Sequence, residues 1–149
     1  NCAISQDMIA GFPTETEQDH QDTLKLMDYV KYSFGYMYSY SERPGTLAGR
    51  KMEDDVPEET KARRLQEIVD LQQAHARCRT EQYIGQTVEV LVEKVSKKSP
   101  NEFSGRNSQS ITVVFPKENY KIGDFVNVLV ERTTGATLIG KAIGLSEMN

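Results

Sequence analysis

Apolar and polar positions follow two different periods along this chain, and the change from one to the other divides it. Residues 2–10 are short and apolar in the manner of a strand, and Gly11-Phe12-Pro13 ends them. A helix is predicted next, capped by Thr14 or Thr16, with Asp19 three residues past Thr16 in an imperfect capping box. Glu15, Glu17 and Asp19 crowd its positive end, and Leu24, Leu26, Met27 and Val30 supply its expected buried stripe. Residues 33–40 then set Phe34, Tyr36, Tyr38 and Tyr40 in strict alternation, the period of a strand, up to a break at Arg43-Pro44-Gly45-Thr46. Strand, helix and strand make a βαβ unit whose loops 11–15 and 41–46 lie at the carboxyl ends of the strands, where such folds place ligands. The aromatic ladder is expected to pack against helices or a barrel interior and not to stack on bases.

Asp55-Val56-Pro57-Glu58-Glu59 opens a second, long helix with a cap residue, a first-turn proline and acids at the positive dipole end. Ala62, Leu65, Ile68, Val69 and Ala76 keep helical spacing until Gly85, a rod of about 40 Å. From Gln86 onward the pattern is β, with alternation over 87–95, 110–115, 124–132 and 137–143 separated by polar turns. So few short strands cannot form two full sheets, so a small closed barrel of the OB or SH3-like kind is the economical architecture, with Val113, Val114, Val126, Val128 and Val130 as core. The fold class expected is mixed α+β: residues 1–81 a βαβ unit plus long helix, residues 82–149 an antiparallel five-stranded barrel.

Composition narrows this picture. No apolar run reaches the roughly 20 residues that span a bilayer, and the start has no basic leader or apolar signal core, so a cytoplasmic protein without membrane association is expected. Cys2 and Cys78 stand far apart without neighbouring histidines at ligand spacing, which indicates neither a disulfide framework nor a metal knuckle. The net charge of −4 is uneven: residues 82–149 hold 8 Lys and Arg against 7 Asp and Glu, whereas the first 81 residues are acidic. Any grip on a phosphate backbone must therefore come from a local patch.

Candidate chemistry lies in the loops. The turn from Gly11 to Glu15 leads a strand into a capped helix and leaves backbone N–H groups to meet an anionic ligand, or serves only as a connection. Arg43 stands where βα-barrels place chemistry, its direction set by Pro44-Gly45, with a salt bridge to Glu42 or Glu15 as the plainer alternative.

Four strings occur in order: Asp7-Met-Ile-Ala-Gly-Phe-Pro-Thr-Glu-Thr16, Tyr38-Ser-Tyr-Ser-Glu-Arg-Pro-Gly-Thr46, Asp55-Val-Pro-Glu-Glu59 and Phe103-Ser-Gly-Arg106. Together they resemble the tRNA methylthiotransferases of the MiaB type. That resemblance implies a radical-SAM βα-barrel, whose last part residues 1–81 would represent, followed by a TRAM barrel in residues 82–149. It implies that the parent enzyme adds a methylthio group to a prenylated adenosine beside the tRNA anticodon, using S-adenosylmethionine and two [4Fe-4S] clusters. The three-cysteine motif that holds a radical-SAM cluster is missing from the sequence, so this segment is expected to be inactive alone, with no cofactor bound and no catalytic or metal-ligating residue of its own. Gly11, Glu15, Ser41 and Arg43 match the region that lines the S-adenosylmethionine pocket, although Glu15 departs by one residue from the commoner radical-SAM spacing.

In the barrel, Lys94, Lys97 and Lys98 lie on a strand end and turn, and Phe103-Ser104-Gly105-Arg106-Asn107 on the next stretch, which a hairpin would bring alongside. Cations with hydroxyl and amide donors suit phosphate and ribose, Phe103 could offer a stacking face, and Lys117 extends the patch; a solvated loop without a partner is the plainer alternative. The resemblance favours RNA, with the barrel docking the anticodon arm of tRNA. Two other readings stay open: the sister enzyme that methylthiolates an aspartate of a ribosomal protein, and a free-standing interaction module. An orphaned βαβ unit has an open edge, so self-association through residues 1–45 is expected.

Overall fold

The computed structural model describes residues 2–146. It contains two compact units, residues 4–75 and residues 76–146 joined by 2–3, so by packing the division falls inside the long helix.

In the first unit, β1 (Ser5–Ala10) pairs in parallel with β2 (Phe34–Ser39), Ile9 opposite Tyr38 and Met8 opposite Met37. The crossover is α1 (Glu17–Val30), and its start is the capping box expected, with the Thr16 hydroxyl accepting the Asp19 N–H at 3.2 Å and the Asp19 carboxylate accepting the Thr16 N–H at 2.8 Å. A short α2 (Leu47–Lys51), not anticipated, is capped by Thr46, and α3 (Glu58–Glu81) follows. The helices cover one face of the sheet: Met8, Ala10 and Met37 pack with Leu24, Met27, Leu65, Ile68 and Leu71.

Two expectations are corrected here. The aromatic ladder faces away from the helices, with Phe34, Tyr36 and Tyr38 exposed at 42%, 63% and 59%, because side chains two apart share a face and the helix-covered face belongs to Gly35 and Met37; only Tyr40, past the end of β2, is buried, against Phe12 and Lys61. The buried stripe of α3 is Lys61, Arg64, Ile68, Gln72 and His75, polar except for one residue, while Ala62 is exposed and Leu65 and Val69 are half-buried. Partners meet these polar groups: Lys61 bonds Asp54 and Glu58, Arg64 bonds Glu15 and Glu17, Gln72 donates to the Tyr32 carbonyl, and His75 meets Asp28, while Gln72 Oε1 and His75 Nδ1 are buried without a hydrogen bond among the described residues. In α1, Leu26 is exposed and His20 takes a buried place, 2.6 Å from Glu67.

The second unit is a closed barrel of β3 (Thr87–Val95), β4 (Glu102–Arg106), β5 (Thr112–Pro116), β6 (Phe125–Thr134) and β7 (Thr137–Leu145), in the order β3-β4-β5-β7-β6. All pairings are antiparallel except β5 with β7. Val88, Val90, Val92, Phe103, Val113, Phe115, Val126, Val128, Val130 and Leu138 fill it, and Val114, expected in the core, is half-buried because it alternates with Val113 and Phe115. Closure demands close approach of strands: a Cβ on Gly105 would sit 2.1 Å from the Leu91 carbonyl oxygen and one on Gly140 would sit 2.0 Å from that of Leu129. Thr80, at the end of α3, donates its hydroxyl to the Gly135 carbonyl in the β6–β7 turn at 2.8 Å. Among the described residues, no helix is long and apolar enough to cross a membrane.

Candidate nucleic-acid interface and cofactor cleft

In the first unit, an open cleft of about 430 Å³ lies at the carboxyl ends of β1 and β2. Ile9, Phe12, Tyr38 and Tyr40 give it apolar walls, and Ser41, Arg43 and Thr46 add polar groups. Phe12 stands edge-on to Tyr40, ring centres 5.2 Å apart, so the two walls hold one another. Of the four cofactor candidates, Ser41 and Arg43 line this cleft.

Gly11 and Glu15 do other work. The Gly11 N–H donates to the Glu15 carboxylate at 3.1 Å, and Arg64 donates to the same carboxylate at 2.7 Å and to the Glu15 carbonyl at 3.0 Å. The N–H offered to an anion by the turn is therefore already met by the protein's own carboxylate, and Glu15 spends its charge on Arg64. Gly11 is required for a different reason: its φ is +72°, and a Cβ there would lie 2.3 Å from the Lys61 Cγ. Lys61, buried against that glycine, carries its ammonium 5.6 Å from the centre of the Tyr40 ring while bonded to Asp54 and Glu58, and those hydrogen bonds raise its pKa.

The barrel gathers its candidates at one end, but not all of them reach solvent. In the β3–β4 hairpin Lys94 faces Ser104 and Val95 faces Phe103, and the tip carries Lys97 and Lys98, both exposed. A bulge between Val92 and Lys94 turns Glu93 and Lys94 outward in succession. The Lys117 N–H donates to the Asn101 carbonyl at 2.7 Å, and Gly123 N–H donates to the Val92 carbonyl at 2.8 Å, so residues 117–123 lie at the same end as the hairpin tip. This brings in Lys121 and Ile122, both exposed, which sequence reading missed; the only signal was their place in the turn that follows Phe115-Pro116-Lys117.

Four of the barrel candidates are buried or already engaged within the protein. The stretch after Glu102 is strand β4. Phe103 is a core residue, 3% exposed, with the Lys117 ammonium 5.3 Å over its ring, so it presents no stacking face. Ser104 is buried beside Lys94, and Asn107 is buried with its side-chain carbonyl accepting the N–H groups of Gln109 and Ile111, a turn-forming role. Arg106 sits further along β4, opposite Leu91, and its guanidinium lies 3.7 Å from Glu93.

Among the described residues, the side-chain ammonium groups of Lys94, Lys97, Lys98, Lys117 and Lys121 form no ion pair, whereas Arg106 and Lys141 each face a glutamate. Nor do the described residues contain a group of three His, Cys, Asp or Glu placed to hold a metal; Cys2 and Cys78 are exposed free thiols.

Residues 81–143 match the model of the TRAM domain. The chain is 80% identical over all 149 residues to the tRNA-2-methylthio-N(6)-dimethylallyladenosine synthase of Flavobacterium johnsoniae and 67% identical over the same length to that of Christiangramia forsetii. The match with the synthase of Parabacteroides distasonis is 46% over 143 residues. In each case the chain spans 31% of the relative's length. The closed five-stranded barrel is thus a TRAM domain, and the chain as a whole is similar to the C-terminal region of the tRNA methylthiotransferases of the MiaB type.

Proposed function

We propose that this chain is the RNA-docking and cofactor-wall portion of a radical-SAM tRNA methylthiotransferase, an enzyme that adds a methylthio group to a prenylated adenosine beside the anticodon. One observation carries the reading: the 80% identity to a synthase of that name extends over all 149 residues. Buried residues are a minority of the chain, so identity at that level must include much of the surface as well as the core. In this reading the TRAM barrel holds the anticodon arm in the cytoplasm through its lysine-bearing end, where cations that form no ion pair among the described residues can meet phosphates.

The cleft of the first unit suits S-adenosylmethionine. Phe12, Tyr38 and Tyr40 offer ring faces and edges to a nucleoside, Ser41 and Thr46 offer hydroxyls to a ribose, and Arg43 offers a guanidinium to a carboxylate. When bound, that cofactor supplies radical and methyl chemistry; the residues here bind and orient it. Iron–sulfur ligation does not fit the residues present, since such clusters take thiolates in sets and the described residues offer no such set. Cluster chemistry is therefore assigned to the rest of the longer relatives, of which this chain spans 31%.

Equilibrium binding of tRNA to the 149-residue chain at several salt concentrations tests the docking role. Affinity should fall steeply with salt, and Lys97→Glu combined with Lys117→Glu should weaken it by roughly tenfold or more. Salt-independent binding, or displacement of the tRNA by a basic ribosomal protein in direct competition, would overturn the reading.

A further inference from the structure

The RNA reading leaves the form of the RNA undecided, and the barrel's own side chains bear on it. Barrels that take single strands set aromatic rings at the surface, on which unstacked bases lie, beside a basic groove that follows the backbone. Double-stranded RNA is met instead through phosphates and ribose hydroxyls, because its bases are paired and its major groove is too deep and narrow for side chains.

The lysine-bearing end has the charge of such a site without a well-exposed ring, since Tyr120 and Phe125, the rings nearest its surface, are both half-buried. Phe103 and Phe115 are 3% and 0% exposed, the Lys117 chain covers the Phe103 ring, and Tyr120 is half-buried edge-on to Phe115 with ring centres 6.4 Å apart. Among the described residues from 76 onward, the large side chains that are well exposed are aliphatic: Ile84, Ile122, Ile143 and Leu145. An aliphatic side chain has no π face to offer a base. The cations stand on two separate segments, Lys94, Lys97 and Lys98 on the β3–β4 hairpin and Lys117 and Lys121 between β5 and β6. The backbone bonds Lys117 to Asn101 and Gly123 to Val92 hold both segments to one end of the barrel. The acids there are partly engaged, Glu93 with Arg106 and the Asp124 carboxylate with the Lys121 N–H, which leaves Glu102 and Glu118 against five lysines.

We infer that this end of the barrel grips the sugar–phosphate backbone of a double-stranded RNA stem, its two basic segments meeting the two phosphate rows that flank a groove, and that it does not read splayed bases. The inference deepens the proposed function and rests on it.

Fluorescence anisotropy with the 149-residue chain, an RNA duplex of about 16 base pairs and its separated strand decides the matter. The duplex should bind at least about fivefold tighter than the strand, with log K falling against log salt with a slope of roughly −3 to −4 for four or so phosphate contacts. Lys97→Ala and Lys121→Ala should each weaken duplex binding and reduce that slope by about 1, whatever the duplex sequence. Arg132→Glu, near the opposite end of the barrel, should leave it within about twofold. Equal or tighter binding of the single strand overturns the inference while leaving RNA docking intact. Binding of neither removes the docking reading itself, and this one with it.

Discussion

Gly105 shows what a single residue decides in this barrel. A methyl group there would press against the Leu91 carbonyl oxygen at 2.1 Å and the Val90 Cγ1 at 2.7 Å, both on the neighbouring strand and neither at the end of a flexible side chain. Gly105→Ala should therefore lower the barrel's unfolding free energy by about 1–3 kcal/mol, read from urea denaturation followed by circular dichroism. Unchanged stability would show that the strands can separate without cost. Phe103, two positions earlier, marks the limit of reading residues singly. Its neighbours Lys, Ser and Arg made it a plausible stacking face, yet the alternation along β4 turns it inward, where it packs with Phe115. Lys61 was invisible for the complementary reason: no local pattern marks a lysine as buried, and its place depends on a glycine 50 residues away and on carboxylates at Asp54 and Glu58.

At the scale of elements, α1 and α3 are joined by charge as well as by their apolar contact. Arg63 bonds Glu17 and Glu67 at 2.7 Å each, Arg64 bonds Glu15 and Glu17, and His20 meets Glu67. The Arg63 guanidinium beside Glu17 lowers that carboxyl from 4.5 to about 2, the Thr16 hydroxyl lowers Asp19, and His20 followed by Arg63 lowers Glu67. Carboxyl groups with depressed folded values stabilise the native state above their unfolded values and cease to do so as they become protonated. The helical unit should accordingly lose stability as the pH falls from about 4.5 towards 2, and Arg63→Ala should flatten that dependence, measured by thermal unfolding at stepped pH. A wild-type profile no steeper than that of Arg63→Ala would count against the clamp. Helix period and capping were legible for both helices, since the Thr16 box and the first-turn acids are local. The buried stripe of α3 was not, because Arg64, Gln72 and His75 become burial-competent only when Glu15, the Tyr32 carbonyl and Asp28 arrive from elsewhere in the chain.

At the scale of the whole molecule, the first unit leaves one face of its sheet uncovered. Ile9, Phe34, Tyr36 and Tyr38 lie on that face, and both outer strand edges are without a neighbour among the described residues. The 149-residue chain should therefore self-associate at high concentration, and Tyr36→Lys with Tyr38→Lys should make it monomeric in sedimentation velocity runs. A strictly monomeric wild-type chain would refute this expectation.

The amino-acid sequence by itself determined the elements and their order. Period-two alternation, proline and glycine breaks and helix caps are properties of adjacent residues, and the strings at 7–16, 38–46, 55–59 and 103–106 pointed to the resemblance without any long-range contact. Tertiary structure alone decided which face of each element is inside and which cations are free. Pairing Lys94 with Ser104 and tying Gly123 to Val92 gathered five lysines from two turns at one end of the barrel. The same closure buried Phe103 and Asn107, which the linear order had placed among the surface groups. Burial and ion pairing depend on residues distant in the chain, and only the folded backbone sets those distances.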